Sequence, residues 1–179
     1  VGGAYGGTAT GTLRWDRSAV LDVTNMYFGR GIGTGVLDVA AGGTFLLGSA
    51  ANRTAVLVIA YNDSSTSAGK AMANINLSTN NPSFAAYVAN DLSIGRKSGP
   101  SFVGSGADGT LVLGSNSTLS VGSAAARANV FVGYNSTNAG AVVGLLDARQ
   151  GLADIHAVDF TVGGAYGGTA TGTLRWDRS

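Results

Sequence analysis

The chain has 179 residues, of which 29 are Gly and only 12% are charged. All ten acidic residues are Asp, nine of the eleven basic residues are Arg, and Gln150 is the single Gln. Helix surfaces are normally built from Glu, Lys and Gln, and Gly is costly inside a helix, so a helical protein is nearly excluded. A hydrophobic fraction of 45% argues against disorder. We therefore expect an all-β protein.

Short apolar runs predict five successive segments of three strands each. In every segment the last strand ends on a small residue that is followed by a turn, as at Gly29 and Gly95. Apolar and polar residues alternate, as around Leu111 and Leu113, with the period of a half-buried strand. In chain order the predicted strands are 12–15, 19–23, 25–28, 36–39, 44–48, 55–59, 71–77, 83–88, 91–94, 110–114, 118–122, 128–132, 141–148, 152–156 and 159–162.

The first eighteen residues, VGGAYGGTATGTLRWDRS, recur without change as residues 162–179. The period is 161 residues, so we interpret residues 1–161 as one repeat unit and residues 162–179 as the start of the next, identical unit. A tandem array and an overlap cut from a longer array both explain the copy, and both imply a longer object. Within the unit, coils are expected at about 1–28, 29–59, 60–94, 95–132 and 133–161.

The recurrence of whole three-strand segments predicts a right-handed parallel β-helix, or β-solenoid, of about five coils. Coils in such a fold lie about 4.8 Å apart, so one unit would advance about 24 Å along the axis. An antiparallel β-sandwich is the alternative, because it also contains short strands at this spacing. The sandwich does not require the segments to repeat, which favours the solenoid.

The segment GTLVLGSNSTLSVG, residues 109–122, resembles the passenger regions of autotransporters, filamentous haemagglutinin-like adhesins and other long secreted β-solenoids. The resemblance extends over the whole chain and lies in its composition. It implies an extracellular or cell-surface location and a structural or adhesive role.

Net charge and the length of apolar runs limit the possible partners, and the cysteine content limits disulfides and metal sites. The formal net charge is +1 with both signs scattered, so no nucleic acid partner is predicted. The longest apolar run, 55–61, has the length of a strand, so no membrane insertion is predicted. The chain has no Cys, which excludes disulfides and thiolate zinc sites. Because it begins with Val1, we expect a mature product or a fragment.

Alignment of the segment ends places Arg30, Tyr61, Arg96 and Tyr134 at one position after the turn, with Gly164 next in the series. If the coils stack in register, arginines and tyrosines alternate along one edge. Guanidinium groups stack on aromatic faces, so this pattern predicts a stabilising ladder. A strip that contacts carbohydrate is the alternative.

Five Asn-x-Ser/Thr sequences provide candidate N-glycosylation sites, all in predicted turns. They are at Asn52, Asn62, Asn76, Asn116 and Asn135. The simpler interpretation is that Asn, Ser and Thr are good turn residues.

The residues that could carry catalysis or bind metal form no cluster that spacing reveals. Residues 104–110, GSGADGT, partly resemble a calcium-binding nonapeptide, but a turn rich in Gly and Asp is the better interpretation. Asp22, Asp38 and Asp147 keep a polysaccharide lyase as a less favoured alternative, because β-helix lyases stack acids around calcium. His156 is the single His. We predict no enzyme, no cofactor and no metal site.

The pattern favours a structural function: a repeat unit of an extracellular β-solenoid filament or stalk, assembled by end-to-end stacking of coils. The predicted partners are copies of the chain itself. The alternative is a surface adhesin, or carbohydrate-binding β-helix, whose partners would be surface glycans.

Overall fold

The computed structural model describes residues 1–15, 18–64, 68–100 and 103–177, and these residues form strands and turns with no helix. Consequently none of the described segments is a helix able to cross a membrane. The strands are β1 Gly3–Ala4, β2 Thr10–Arg14, β3 Val20–Leu21, β4 Asn25–Gly31, β5 Thr34–Asp38, β6 Thr44–Leu47, β7 Thr54–Asn62, β8 Lys70–Asn76, β9 Ser83–Lys97, β10 Gly106–Val112, β11 Ser117–Val121, β12 Ala128–Asn135, β13 Ala141–Asp147, β14 Leu152–Ile155, β15 Ala157–Ala165 and β16 Thr169–Arg175.

The strands form parallel sheets that wrap around one axis. A six-stranded sheet runs in the order β16-β13-β10-β8-β5-β2, and the other ten strands form a second sheet. That second sheet covers two faces because β9 bends: its first half pairs with β6 and β11, and its second half with β7 and β12. Every predicted three-strand segment is thus one coil of a parallel β-solenoid, as expected. The parallel pairing excludes the antiparallel sandwich.

The register confirms the alignment of the coils. Arg30 pairs with Tyr61, Tyr61 with Arg96, and Arg96 with Tyr134, which pairs in turn with Gly164. The chain therefore makes four full turns between the first and last of these positions.

Columns of like apolar residues fill the interior because the side chains of adjacent coils lie directly above one another. Phe28, Ile59, Ile94 and Val132 form one such column, and each is at most 1% exposed. Burial of a side chain of this size stabilises the fold by about 1.5–3 kcal/mol. No single coil can close this interior, so stability depends on stacking.

A sharp corner of the chain precedes each of these aligned positions. At the corner, the backbone of the next strand lies very close to the corner residue. Gly95 has a φ of 64°, in the left-handed region where a side chain is strained. A Cβ on Gly109, in the next strand, would overlap the backbone nitrogen of Gly95. The solenoid is therefore thin at this edge, which explains much of the Gly content. Ala60, with a φ of 63°, holds the same corner position in another coil.

Two expectations about the strands are wrong. The predicted strands 83–88 and 91–94 are one bent strand, β9. Residues 106–110 do not form a Gly/Asp turn: they begin β10, where Asp108 pairs with Met72 on one side and Val143 on the other. Glycine is accepted in this strand because the opposite corner lies too close for a side chain.

Candidate functional site

An arginine–tyrosine ladder follows the corner of the solenoid. Its members, Arg30, Tyr61, Arg96 and Tyr134, are in register on successive coils. The guanidinium carbon of Arg30 lies 6.0 Å from the ring centre of Tyr61, and that of Arg96 lies 5.9 Å from the same ring. Both arginines are thus within cation–π distance of the tyrosine between them. We call these four residues the corner ladder.

Besides Tyr5, whose ring centre lies 5.9 Å from the guanidinium carbon of Arg30, two further aromatic residues belong to this edge. The guanidinium of Arg30 lies 4.8 Å from the ring centre of Tyr27, and that of Arg96 lies 4.8 Å from the ring centre of Phe131. Phe131 also packs on Tyr134 with 4.7 Å between ring centres. Sequence reasoning missed both, since each stands three residues before a ladder residue. The left-handed corner residue, Gly29 or Gly133, adds one residue to the alternation. Tyr27 and Phe131 therefore lie on the same side of the coil as the ladder residue three positions later.

Carboxylates hold the guanidinium groups in place. Asp63 Oδ2 accepts hydrogen bonds from Nε of Arg30 at 3.0 Å and Nη2 at 2.8 Å, and from the Tyr5 hydroxyl at 3.1 Å. The hydrogen bond with Asp63 raises the pKa of Arg30. Asp91 Oδ2 accepts a hydrogen bond of 2.8 Å from Arg96. Fixed guanidinium planes lose little entropy on stacking, which suits a stabilising edge.

Two of the five candidate glycosylation sites lie inside the solenoid. Asn62 and Asn135 are wholly buried, and each pairs in register with buried Lys97. The amide of Asn62 donates to the carbonyl of Gly106 at 2.8 Å, and that of Asn135 donates to Gly140 at 3.1 Å. The expectation that these two asparagines lie in exposed turns is wrong, because their amides bind backbone groups that the corner would otherwise leave unpaired. The folded coil has no room for a glycan at either.

The other three candidates, Asn52, Asn76 and Asn116, are exposed. The hydroxyl of Ser78 donates to Asn76 Oδ1 at 2.7 Å and its backbone N–H donates at 3.0 Å, which is ordinary turn chemistry. Asn52 donates to the carboxylate of Asp22 at 2.7 Å. Glycosylation at these three positions stays a prediction.

The acidic residues considered for catalysis are engaged separately. Asp147 accepts hydrogen bonds of 2.6 and 2.9 Å from Arg149, and these bonds lower the pKa of Asp147. His156 Nε2 lies 3.2 Å from Asp154 Oδ1. Within the described ranges, His, Cys, Asp and Glu form no group of three or more that could hold a metal ion.

The two copies of the repeated segment form the first and last described coils of the solenoid. The arginine of each copy contacts a carboxylate, and the two carboxylates lie on opposite sides of the segment. Arg14, in the first copy, donates to Asp38 in the following coil at 3.0 Å. Arg175 is the same position in the second copy, and it lies 3.5 Å from Asp147 in the preceding coil.

The backbone hydrogen bonds of the two copies also lie on opposite sides of the segment. In the first copy, the N–H of Trp15 donates to the carbonyl of Asp38 at 3.2 Å. In the second copy, the carbonyl of Arg175 accepts from the N–H of Ala148 at 2.9 Å. The first copy therefore uses the edge that faces the following coil, and the second uses the edge that faces the preceding one.

The end formed by the second copy leaves apolar groups exposed. Tyr166 is 78% exposed and Trp176 is 46% exposed. Leu174 is 38% exposed, although Leu146, its neighbour in the column below, is fully buried. Leu174, which continues a buried column, is thus partly uncovered on this last coil.

Comparison of the chain with protein-family models, with curated proteins and with solved structures finds no match.

Proposed function

We propose that residues 1–161 are one structural repeat unit of an extracellular β-solenoid filament or stalk, in which units continue end to end. The observation that carries the proposal is the opposite pairing of the two copies. One segment placed between two units would bind the preceding unit as residues 162–177 do, and the following unit as residues 1–15 do. Both backbone edges would then be paired.

The register of that junction follows from the two ends. The arginine shared by the copies would lie between the carboxylate of Asp147 in one unit and that of Asp38 in the next, because Arg175 and Arg14 each make one of these contacts. A guanidinium with two carboxylate partners is a specific and favourable arrangement. The tyrosine that is exposed as Tyr166 would meet an aspartate, as its copy Tyr5 meets Asp63.

Electrostatics also supports an unlimited array. The unit 1–161 has nine basic and nine acidic residues, and the charge of +1 comes from Arg175, Asp177 and Arg178 in the copied tail. A formally neutral unit can be repeated without accumulating self-repulsion. Long arrays therefore carry no electrostatic penalty.

The corner ladder supports a mechanical function more than an adhesive one. A sugar-binding tyrosine needs a free ring face, whereas Tyr61 stacks on Tyr27 with 6.1 Å between ring centres and is also approached by Arg30 and Arg96. The contacts run along the axis from coil to coil. They resist separation of coils when the fibre is stretched.

Electron microscopy of native material tests the proposal. We expect filaments of uniform width on the outside of the cells, with a layer line near 4.8 Å and an axial repeat near 24 Å, because five coils make one unit. Gold-labelled antibody raised against the folded protein should decorate intact cells along these filaments. Isolated particles of one chain's mass, or labelling only after the cells are opened, would contradict the proposal.

A further inference from the structure

We propose that the outer face of the six-stranded sheet is a lateral contact, through which one solenoid packs side by side against a second copy of the same solenoid. The inference rests on the proposed end-to-end array and adds a contact between neighbouring arrays. The face consists of the side chains that point outward from β2, β5, β8, β10, β13 and β16. We call this surface the threonine face.

Two straight columns of six side chains each run along the threonine face. The first passes in register from Thr10 through Met72 to Thr171, and the second lies two residues further along each strand. Of these twelve residues six are Thr and two are Val, and only Asp108 is charged. None of the twelve is buried, and Met72 is 47% exposed. The threonine face is thus a regular surface that the described part of the chain leaves open to solvent.

The residue types on this face suit packing against another sheet. Thr and Val are branched at Cβ, so most of these side chains have few rotamers and lose little entropy when a second surface orders them. The columns stand about 6.6 Å apart, because alternate residues of a strand point the same way. An open groove of about 250 Å³ lies at the columns, lined by Thr34, Val36 and Met72 among others. Columns of a second sheet can enter such grooves, as they do in the interdigitated interfaces of paired sheets.

Two opposite charges on the threonine face make no ion pair within the described part of the chain. Lys70 is exposed and Asp108 is half-buried. Lys70 pairs with Gly106, so its Cα lies about 8 Å from that of Asp108 in the next strand. A two-fold contact uses the same surface on both partners, so a lysine that meets the aspartate of its neighbour does so twice. The threonine face is therefore complementary in charge to a second copy of itself.

The size of the threonine face favours an array over a single unit as the partner. Five coils span about 24 Å along the axis and five residues of strand span about 17 Å across it, which gives about 400 Å² per unit. A stable interface buries about 800 Å² on each partner. One unit falls short of this area and two units reach it, because the face continues from unit to unit in the proposed array. Lateral pairing should accordingly begin only in arrays of two or more units.

Electron microscopy of the full chain and of a four-unit array tests the inference. The array consists of three copies of residues 1–161 followed by residues 1–179. We expect the array to form side-by-side pairs at roughly micromolar concentration, because its face exceeds the area that a stable interface needs. The full chain should form no such pairs at the same concentration of units. Arrays that stay single at every concentration would overturn the inference.

Two threonines in similar environments provide matched variants. Thr110 lies on the threonine face in β10, and Thr118, also half-buried, lies in β11 of the other sheet. Thr110→Lys in every unit places like charges against each other in the pair, so half-maximal pairing in sedimentation velocity should require a concentration at least about tenfold higher. Thr118→Lys adds the same charge elsewhere and should leave pairing unchanged. Equal losses in the two variants would overturn the inference, because net charge alone would then control association.

An exchange of charges tests the contact at positions where the fold tolerates substitution, since Lys70 is exposed and Asp108 makes no ion pair within the described residues. Lys70→Asp and Asp108→Lys should each weaken pairing of the array, because each leaves like charges facing across the contact. The array that carries both substitutions should regain most of the pairing. If the double variant pairs no better than either single variant, the proposed contact is wrong.

Failure of the lateral contact and failure of the proposed function give different results in the same micrographs. Arrays that form one straight solenoid without side-by-side pairs contradict the lateral contact and leave the end-to-end proposal standing. Arrays that form separate bodies joined by flexible segments contradict the end-to-end proposal, and the lateral contact fails with it.

Discussion

Arg14 and Arg175 are the same position of an eighteen-residue repeat, and they bind carboxylates on opposite sides of it. Arg14 reaches Asp38 in the following coil at 3.0 Å, and Arg175 lies 3.5 Å from Asp147 in the preceding coil. The same sequence thus contacts a following coil in one copy and a preceding coil in the other. A solenoid made of repeated units requires a segment that can pair on both sides.

Asp147 should contribute stability that depends on pH. Hydrogen bonds from Arg149 lower its pKa below the ordinary value of 3.8, so the stabilisation is present above that pH and is lost as the pH falls through the lowered pKa. Asp147→Asn should reduce the free energy of unfolding at pH 7 by about 1–2 kcal/mol. In urea unfolding, the difference from the parent chain should shrink below pH 3.8.

The matched control is Asp38→Asn, because Asp38 is exposed and its ion pair with Arg14 is solvated. Solvated pairs contribute about 0–1 kcal/mol, so a small loss is expected. A loss for Asp38→Asn equal to that for Asp147→Asn would contradict the role given to Asp147.

Corner glycines should be far less replaceable than the corner alanine. In Gly95→Ala, the new Cβ would overlap the carbonyl oxygen of Val143 and the residue would hold a left-handed φ. We expect a loss of more than about 2 kcal/mol in thermal or urea unfolding. Ala60→Gly relieves strain but removes a buried methyl group, so its effect should stay within about 1 kcal/mol. An unchanged free energy of unfolding in Gly95→Ala would show that the corner has room for a side chain.

The corner ladder should need planar guanidinium groups and not charge alone. Arg96→Lys keeps the charge but loses stacking on Tyr61 and Phe131, so the free energy of unfolding should fall by about 1–2 kcal/mol. Arg127→Lys is the control, since Arg127 is exposed and its guanidinium donates to a backbone carbonyl at 3.2 Å. Equal stability of the two variants would mean that the ladder stacks without stabilising the fold.

Buried and exposed sequons should behave differently in two experiments. Asn62→Asp replaces an amide that donates to two carbonyls by a group that cannot donate when ionised, and should cost about 1–3 kcal/mol. Asn76→Asp, at the exposed end of β8, should cost less than about 0.5 kcal/mol. In a glycosylating host, mass spectrometry should find glycans among Asn52, Asn76 and Asn116 and none at Asn62 or Asn135. Full occupancy at Asn62 would rule out the buried conformation.

The fold was predictable because its signals are periodic. Alternation around Leu111 identified the interior column, and the small residues at Gly29 and Gly95 marked the corners. The inward orientation of the Asn62 side chain was not predictable, because Asn76, in the same Asn-x-Ser pattern, is exposed. Which side such a residue takes depends on backbone groups of another coil, and local sequence does not contain them.

The site was predictable only in part for a similar reason. Arg30 and Arg96 could be aligned by counting from the corner. Tyr27 and Phe131 were missed because a left-handed corner residue shifts the alternation by one, and a strict period of two places them on the wrong side. The complementary pairing of the two copies depends on contacts between distant coils, which no spacing reveals.

The most direct test of the central claim is a cryo-electron microscopy structure of two units joined in tandem, residues 1–161 followed by residues 1–179. We predict one straight solenoid about 24 Å longer than the single chain. Its junction arginine should lie between Asp147 of the first unit and Asp38 of the second. Two separate bodies joined by a flexible segment, or a junction in which this arginine meets neither carboxylate, would contradict the claim.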